Sequence, residues 1–220
     1  MAVQSFDKLN NIRRKDRHIP YEEWFGVIEK LSEEEIAERI AMAQRFEDSI
    51  KIYLSMMQYS AQNGFGGSFG KDYLREQYLS NVRSQFVVDS YIEELADNFS
   101  QDFHRVTKKH LPAVDEDFLI LAGSYWFSDD RAKVTSENSV LDIFNYEEFL
   151  EAMAEGYTQK TWVTMGDNRV RDSHTIIDGT TIALDDVFHL PGGDMRFPRD
   201  EELGASSDEI DGCRCWLEYS

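Results

Sequence analysis

The feature that most constrains the fold is an apolar stripe that follows a helix-start signal at Ser32. Glu35 stands three residues after Ser32, which is the spacing of a capping box, in which the two residues satisfy free backbone N–H groups of the first turn. Apolar residues then recur every three or four positions, along one helical face: Ile36, Ile40, Ala43, Phe46, Ile50, Tyr53 and Met57. We predict a long helix from Ser32 to about Asn63, before a glycine-rich loop at residues 64–70.

A second helical pattern occupies residues 71–110 and ends before Pro112. Its stripe is Leu74, Tyr78, Val82, Phe86 and Ser90, then Leu95, Phe99 and Phe103. The step of five residues after Ser90 indicates a bend or a change of buried face. Because a short loop joins this helix to the first, we predict that the two lie antiparallel. The loop has no Gly-Lys-Ser/Thr sequence, so it does not match a phosphate-binding P-loop.

The sequence from Ser128 onward predicts a different pattern of secondary structure. Ser128-Asp129-Asp130 is typical of a helix start, and Gly156 is a natural helix end. Short β-branched and aromatic runs follow at residues 161–165, 180–184 and 215–219. We therefore predict an α+β fold with three parts. Residues 1–19 form an arm, residues 20–127 a region of long antiparallel helices, and residues 128–220 a small loop-rich block with short strands.

The distribution of acidic and basic residues restricts the classes of partner that we expect. Of the 220 residues, the first half carries 15 basic and 18 acidic side chains, whereas the second half carries 8 and 24. An acidic surface repels phosphates, so we do not expect broad nucleic-acid binding by the C-terminal half. The arm contains a basic cluster, Arg13, Arg14, Lys15 and Arg17, which is either a nucleic-acid or partner-binding segment or a solvated terminus.

No apolar run approaches the ~20 residues that a membrane span needs, so we expect no membrane partner. The two cysteines are too few for a disulfide framework, and the expectation is a soluble protein made in a reducing cytoplasm.

The cysteines suggest a metal site. Cys213 and Cys215 point to the same side if their segment is a strand, and His174 could join them as a third ligand. Zinc suits such a ligand set, with Asp167, Asp172 or His189 as the fourth ligand. Two alternatives remain open: a pair of reduced core thiols, or a strained disulfide.

Two arginines in the same block are placed for bidentate pairs with carboxylates. Arg169 and Arg171 lie next to Asp167 and Asp172, and such pairs would fix a loop-rich fold as a structural clasp. The alternative is that these arginines contact a partner or a phosphate. Trp162 and Trp216 lie on predicted strands and are expected in the core.

Known catalytic patterns do not fit. The zinc deaminase signature requires His-x-Glu, but position 176 is Ile, and Cys213 and Cys215 are one residue too close together. No metalloprotease, nucleophile-elbow or Walker sequence occurs. A metal-dependent hydrolase or nuclease that uses His174 with Cys213 and Cys215 remains the alternative to a protein without catalysis.

The order of motifs from residue 128 to 219 resembles the phage Mu F-like minor head protein family. The similar positions are Ser128 to Lys133, Lys160-Thr161-Trp162, Asp167-x-Arg169-x-Arg171-x-x-His174, Asp178-Gly179, Phe188, Phe197-Pro198 and Cys213-Arg214-Cys215. Thr135-Ser136-Glu137 departs from the pattern, since the family often has Arg-Thr-Glu there.

The resemblance implies a structural virion protein of a tailed bacteriophage, present in few copies and without catalysis. Its expected partners are the portal protein and the major capsid protein. Its expected location is the capsid interior or the portal vicinity, with the host cytoplasm as the site of assembly. DNA contact is expected only through the basic arm, because the C-terminal block is acidic.

Overall fold

The computed structural model describes residues 20–21, 25, 31–63, 70–111 and 124–220. The predicted arm, the glycine-rich loop up to residue 69 and residues 112–123 lie outside the described residues. The longer helices are α1 (Glu33–Gln62), α2 (Gly70–Arg83), α3 (Ser90–Lys109) and α4 (Asp129–Glu155). The C-terminal elements are β1 (Gln159–Val163), α5 (Asp172–Ile177), β2 (Thr181–Ala183), β3 (Phe188–Leu190), β4 (Gly193–Met195), α6 (Ser207–Ile210) and β5 (Trp216–Tyr219). The predicted α+β fold is confirmed.

Helix α1 begins with the predicted capping box. The backbone N–H of Ser32 donates to Glu35 Oε2 over 2.7 Å, and the N–H of Glu35 faces Ser32 Oγ at 3.3 Å. The predicted stripe is largely buried, with Phe46, Ile50 and Tyr53 each no more than 1% exposed. The residues that the periodicity placed on one face therefore do form the core side of this helix.

The prediction of one helix over residues 71–110 is wrong, because the chain breaks between α2 and α3. The backbone turns at Ser84–Phe86, where the N–H of Phe86 bonds the carbonyl of Val82. Asp89 then caps α3 by accepting from the N–H of Ile92 over 3.0 Å. The N-cap at Asp89 begins a new helix inside the stretch that was predicted as one helix. This explains the irregular step in the apolar stripe after Ser90.

Helices α1 and α2 are antiparallel, as predicted. Tyr53 lies against Gly70 at the start of α2, whereas Phe46 meets Tyr78 with ring centroids 5.1 Å apart. Further along, Arg45 donates to Ser84 Oγ over 3.0 Å. Later residues of α1 therefore contact the start of α2, and earlier residues of α1 contact its end, as in an antiparallel pair.

The chain divides into two compact units whose limits fall inside α1 and α4. One unit is Ala41–Ser139, and the other combines Met1–Ile40 with Val140–Ser220. In the first unit, Arg131 lies 3.8 Å over the Phe103 ring and donates to Thr107 Oγ1 over 2.9 Å, which ties the start of α4 to α3.

The unit that contains Val140–Ser220 holds all five strands found among the described residues. A three-stranded antiparallel sheet has the order β2-β1-β5, and β3 and β4 form a separate hairpin. Trp162 on the central strand pairs with Leu217 and is fully buried, as predicted for the core. Among the described helices, none combines the length and apolar character that crossing a bilayer requires.

Candidate metal centre

His174 is the histidine that the structure places in the interior of the C-terminal block. It lies in the short helix α5 and is 1% exposed. The Trp162 ring meets its imidazole edge-to-face, with centroids 5.3 Å apart. Helix α5 directly follows the loop that holds Arg169 and Arg171, and its imidazole contacts Trp162 of β1.

The two cysteines reach the imidazole from the segment that leads into β5. His174 Nδ1 lies 3.6 Å from Cys213 Sγ and 3.4 Å from Cys215 Sγ. Both thiols are buried and not joined in a disulfide, and all three ligand atoms lie within 4.8 Å of one another. The predicted group of His174, Cys213 and Cys215 is therefore assembled and could hold a metal ion.

The two nitrogen–sulfur distances suit a tetrahedral ion. With Zn–N of about 2.0 Å and Zn–S of about 2.3 Å, tetrahedral ligands are about 3.5 Å apart. The same distances also suit S–H···N hydrogen bonds between reduced thiols and the imidazole. The disulfide alternative is not what the structure contains.

The two thiols have opposite ionisation preferences. The hydrogen bond from Cys215, and then that with His174, lowers the pKa of Cys213 well below its ordinary value despite burial. The pKa of Cys215 is raised by its role as hydrogen-bond partner of Cys213 and by burial. Cys213 is therefore the thiol that ionises first, and a thiolate is the form that binds metal.

Glu209, which sequence reasoning missed, lies on the other side of the imidazole. Its Oε2 is 3.1 Å from His174 Nε2, and the carboxyl side chain is 8% exposed. Ser173 Oγ donates to Oε2 over 2.7 Å, and the N–H of Gly192 donates to Oε1 over 3.2 Å. No motif spacing could have found Glu209, because it comes from α6, which the strand and loop patterns did not predict.

Asp167 is the centre of the structural clasp. Arg214, the residue between the two cysteines, donates to both of its carboxylate oxygens over 2.8 and 2.6 Å. Arg169 approaches Oδ2 at 3.3 Å and its backbone N–H donates to Oδ1 over 3.0 Å. Burial opposes ionisation, but the hydrogen bonds from Arg214 and Arg169 leave the pKa of Asp167 below its ordinary value. The clasp thus contains Arg214, which was not predicted.

The other half of the predicted clasp is arranged differently. Arg171 donates to the backbone carbonyl of Asp211, and Asp172 is exposed in the first turn of α5. Arg199 donates to the neighbouring carbonyl of Ile210 over 2.7 Å and pairs with Asp142. Two arginines therefore hold the backbone just before Cys213, so Arg171 contributes to the block without an Arg171–Asp172 pair.

A small cavity opens beside the histidine–cysteine group. Its lining includes Met165, Val170 and Gly212 as well as the two cysteines. The volume is about 10 Å³, which corresponds to about one water molecule. The cavity can accommodate a solvent molecule or a small ion beside the two cysteines.

The remaining predicted residues lie elsewhere. His189 is exposed and contacts Asp194 over 2.8 Å, so it is not a fourth ligand in this arrangement. Asp167 is engaged in the clasp. Of the described residues, only the histidine and the two cysteines gather into such a group. The basic cluster Arg13, Arg14, Lys15 and Arg17 lies outside the described residues.

Comparison with known proteins gives one distant similarity. The chain is 28% identical over 153 residues to the "Uncharacterized protein YqbB" of Bacillus subtilis (strain 168). The alignment covers 63% of this chain and 48% of that protein, so the chain spans about half the length of the curated relative it matches. No family model and no solved structure matches the chain.

Proposed function

We propose that this chain is a structural minor head protein of a tailed bacteriophage and acts without catalysis. The proposal starts from the resemblance of residues 128–219 to the Mu F-like pattern. The observation that carries it is that the residues of this pattern bond to one another and to nearby backbone. Such residues maintain a shape, which is the requirement of an assembly component.

Several of these contacts connect backbone segments of the C-terminal block. Lys160 donates to the backbone carbonyls of Leu184 and Asp186 over 2.8 and 2.6 Å. Asp178 Oδ1 accepts from the N–H of Thr164 over 2.8 Å. Phe197 is fully buried and packs on the ring of Phe149. Each of these residues connects loops or strands within the block.

The proposed partners are the portal protein and the major capsid protein, in the capsid interior or near the portal. Assembly takes place in the host cytoplasm. DNA contact is assigned to Arg13, Arg14, Lys15 and Arg17, since the net charge of −19 disfavours contact through most of the remaining chain.

The cofactor proposed for the block is zinc, bound by His174, Cys213 and Cys215. Two sulfurs and one imidazole nitrogen form a ligand set that zinc prefers, and the buried position is typical of an ion that stabilises a fold. Zinc bound there would link the segment before β5 to α5 and so stabilise a region with little regular structure.

Co-purification tests the partner assignment. A tagged chain is co-expressed with a phage portal protein from the same genome, and separately with the major capsid protein. We expect the portal to be retained at a fixed ratio in size-exclusion chromatography. A matched control carries Ala at Arg13, Arg14, Lys15 and Arg17, and it should retain the portal but lose DNA. Failure to retain either structural protein contradicts the proposal.

A metal-dependent hydrolase or nuclease is the second candidate, because His174, Cys213 and Cys215 supply only three ligands, as in catalytic zinc sites. Nuclease assays with added Zn²⁺, Mn²⁺ or Mg²⁺ test it, with His174→Ala as the variant and His189→Ala as the exposed control. Cleavage that is lost in His174→Ala and kept in His189→Ala would replace the structural proposal.

A further inference from the structure

The imidazole of His174 has different neighbours at its two nitrogens. Nδ1 faces the sulfurs of Cys213 and Cys215 at 3.6 and 3.4 Å. Nε2 is buried, has no aligned hydrogen-bond partner among the described residues, and lies 3.1 Å from Glu209 Oε2. A neutral imidazole carries one proton, so these neighbours decide which nitrogen keeps a free lone pair.

Glu209 presents acceptor oxygens to Nε2. Its two carboxylate oxygens already accept from the hydroxyl of Ser173 and the N–H of Gly192. A bare Nε2 would place its lone pair against an oxygen lone pair, whereas a protonated Nε2 is attracted to it. Glu209 therefore favours the proton on Nε2 and leaves the lone pair of Nδ1 toward the two sulfurs, against the opposite attraction of a Cys213 thiolate for a proton on Nδ1.

The fold holds Glu209 closely in this position. A Cβ atom at Gly192 would come within 2.5 Å of Glu209 Cγ and 2.6 Å of Ser206 Oγ, so only glycine allows the turn after β3 to approach α6 this closely. Glu209 is thus fixed by two hydrogen bonds and by a backbone contact that has no room for another side chain. Its orientation toward the imidazole is a built feature of the block.

We propose that Glu209 is the positioning residue of the metal site, which it serves by holding His174 as the Nε2–H tautomer with Nδ1 free to bind zinc. This inference rests on the zinc proposal above. Carboxylates that accept from the second nitrogen of a ligating histidine orient the ring and raise its basicity, and their loss typically weakens metal binding by about 10–100-fold.

Two measurements test the role of Glu209. The first is the tautomer of His174 in metal-free protein, read from long-range ¹H–¹⁵N correlations after labelling of the histidines, with His174→Gln used for assignment. We expect the Nε2–H form. The second is the Kd for Co²⁺ from the sulfur-to-cobalt absorption band, with zinc affinity measured by competition.

The test variant is Glu209→Gln, and the matched control is Asp208→Asn, which neutralises an exposed acid in the same short helix. We expect the Kd for Co²⁺ to rise by about 10–100-fold in Glu209→Gln and to stay within about two-fold in Asp208→Asn. Ser173→Ala removes one hydrogen bond to Glu209 but keeps its carboxylate, so a smaller rise is expected. Circular dichroism of the metal-free wild type and of each metal-free variant shows whether the variants fold as the wild type does.

The outcomes separate this inference from the zinc proposal. If wild-type protein binds neither Co²⁺ nor Zn²⁺, the zinc proposal fails and the positioning role fails with it. If wild type binds but Glu209→Gln binds equally well, only the role of Glu209 is overturned. An Nδ1–H tautomer in wild-type apo-protein also overturns it, and this result needs no variant to fold.

Discussion

At the scale of single residues, Asp167 connects the loop after β1 to the segment between the two cysteines. Its carboxylate accepts from Arg214 and Arg169. We predict that Asp167→Asn lowers the free energy of unfolding by roughly 1–3 kcal/mol, since hydrogen bonds to charged groups are lost. Asp172→Asn, at an exposed position in the same region, should change it by less than about 0.5 kcal/mol.

Urea denaturation at several pH values measures this effect. Because the folded-state pKa of Asp167 lies below its ordinary value, the carboxylate stabilises the fold above the unfolded pKa, and this contribution is lost as pH falls through the folded pKa. The difference between wild type and Asp167→Asn should therefore be largest near neutral pH and shrink below about pH 4. A difference that does not depend on pH would show that the charge of Asp167 is not what stabilises the block.

Lys160 provides a second pH-dependent residue, whose contribution to stability also rises with pH but in an alkaline range. Its side chain is buried, and burial lowers its pKa from 10.5 to about 8. Between these values the unfolded chain holds the proton more tightly than the folded chain, so folding becomes more favourable as pH rises. The slope for this one group is at most about 1.4 kcal/mol per pH unit.

Comparison with Lys160→Met isolates this contribution, because the other titrating groups are common to both proteins. We expect the free energy of unfolding of wild type, minus that of Lys160→Met, to increase from pH 8 to pH 10. Exposed Lys108→Met serves as control and should give a flat difference. A difference that falls with pH for Lys160 would contradict the assigned pKa direction.

At the scale of elements, the capping box of α1 makes a direct prediction. Ser32→Ala removes the hydroxyl near the N–H of Glu35 and the hydroxyl donor to Glu35 Oε2. Loss of an N-cap costs about 0.5–2 kcal/mol, which chemical denaturation can resolve. Ser55→Ala, at an exposed position inside α1, should be neutral or slightly stabilising because alanine has the higher helix propensity. Equal effects at the two positions would contradict the assignment of Ser32 as the cap.

The helices and strands also show which parts of the fold could be predicted from the sequence. Local signals predicted α1, because its cap and its stripe lie in one continuous stretch. The break between α2 and α3 was missed, since the cap at Asp89 was hidden inside a periodic pattern. The hairpin of β3 and β4 and the helix α6 were missed because their short segments carry no clear period.

The candidate site likewise contains residues that the sequence predicted and residues that it did not. Residue types predicted that His174, Cys213 and Cys215 would come together, and the structure places their ligand atoms within 4.8 Å. Arg214 and Glu209 were not predicted as partners, because their contacts with Asp167 and His174 join segments about 35–50 positions apart. Pattern identifies chemically distinctive residues, whereas tertiary packing decides which ordinary charged residue stands beside them.

At the scale of the whole molecule, a stabilised C-terminal block suits a protein that must keep its shape through assembly. The clasp of Asp167 and Arg214, the arginine contacts to the backbone before Cys213, and the proposed zinc all act on the same short segment. These features join the residues on which the proposed resemblance to the Mu F-like family depends. Under the proposed function, the chain is a structural component of the phage head.

Quantitative mass spectrometry of purified DNA-filled heads, produced by cells that carry the gene for this chain, tests the proposed head-protein function most directly. Peptides from residues 128–220, measured against labelled standards and the portal protein, should be present at a constant low copy number per head. That number should persist through density-gradient purification and nuclease treatment. Absence of the chain from heads, while it is abundant in the same lysate, would contradict the account.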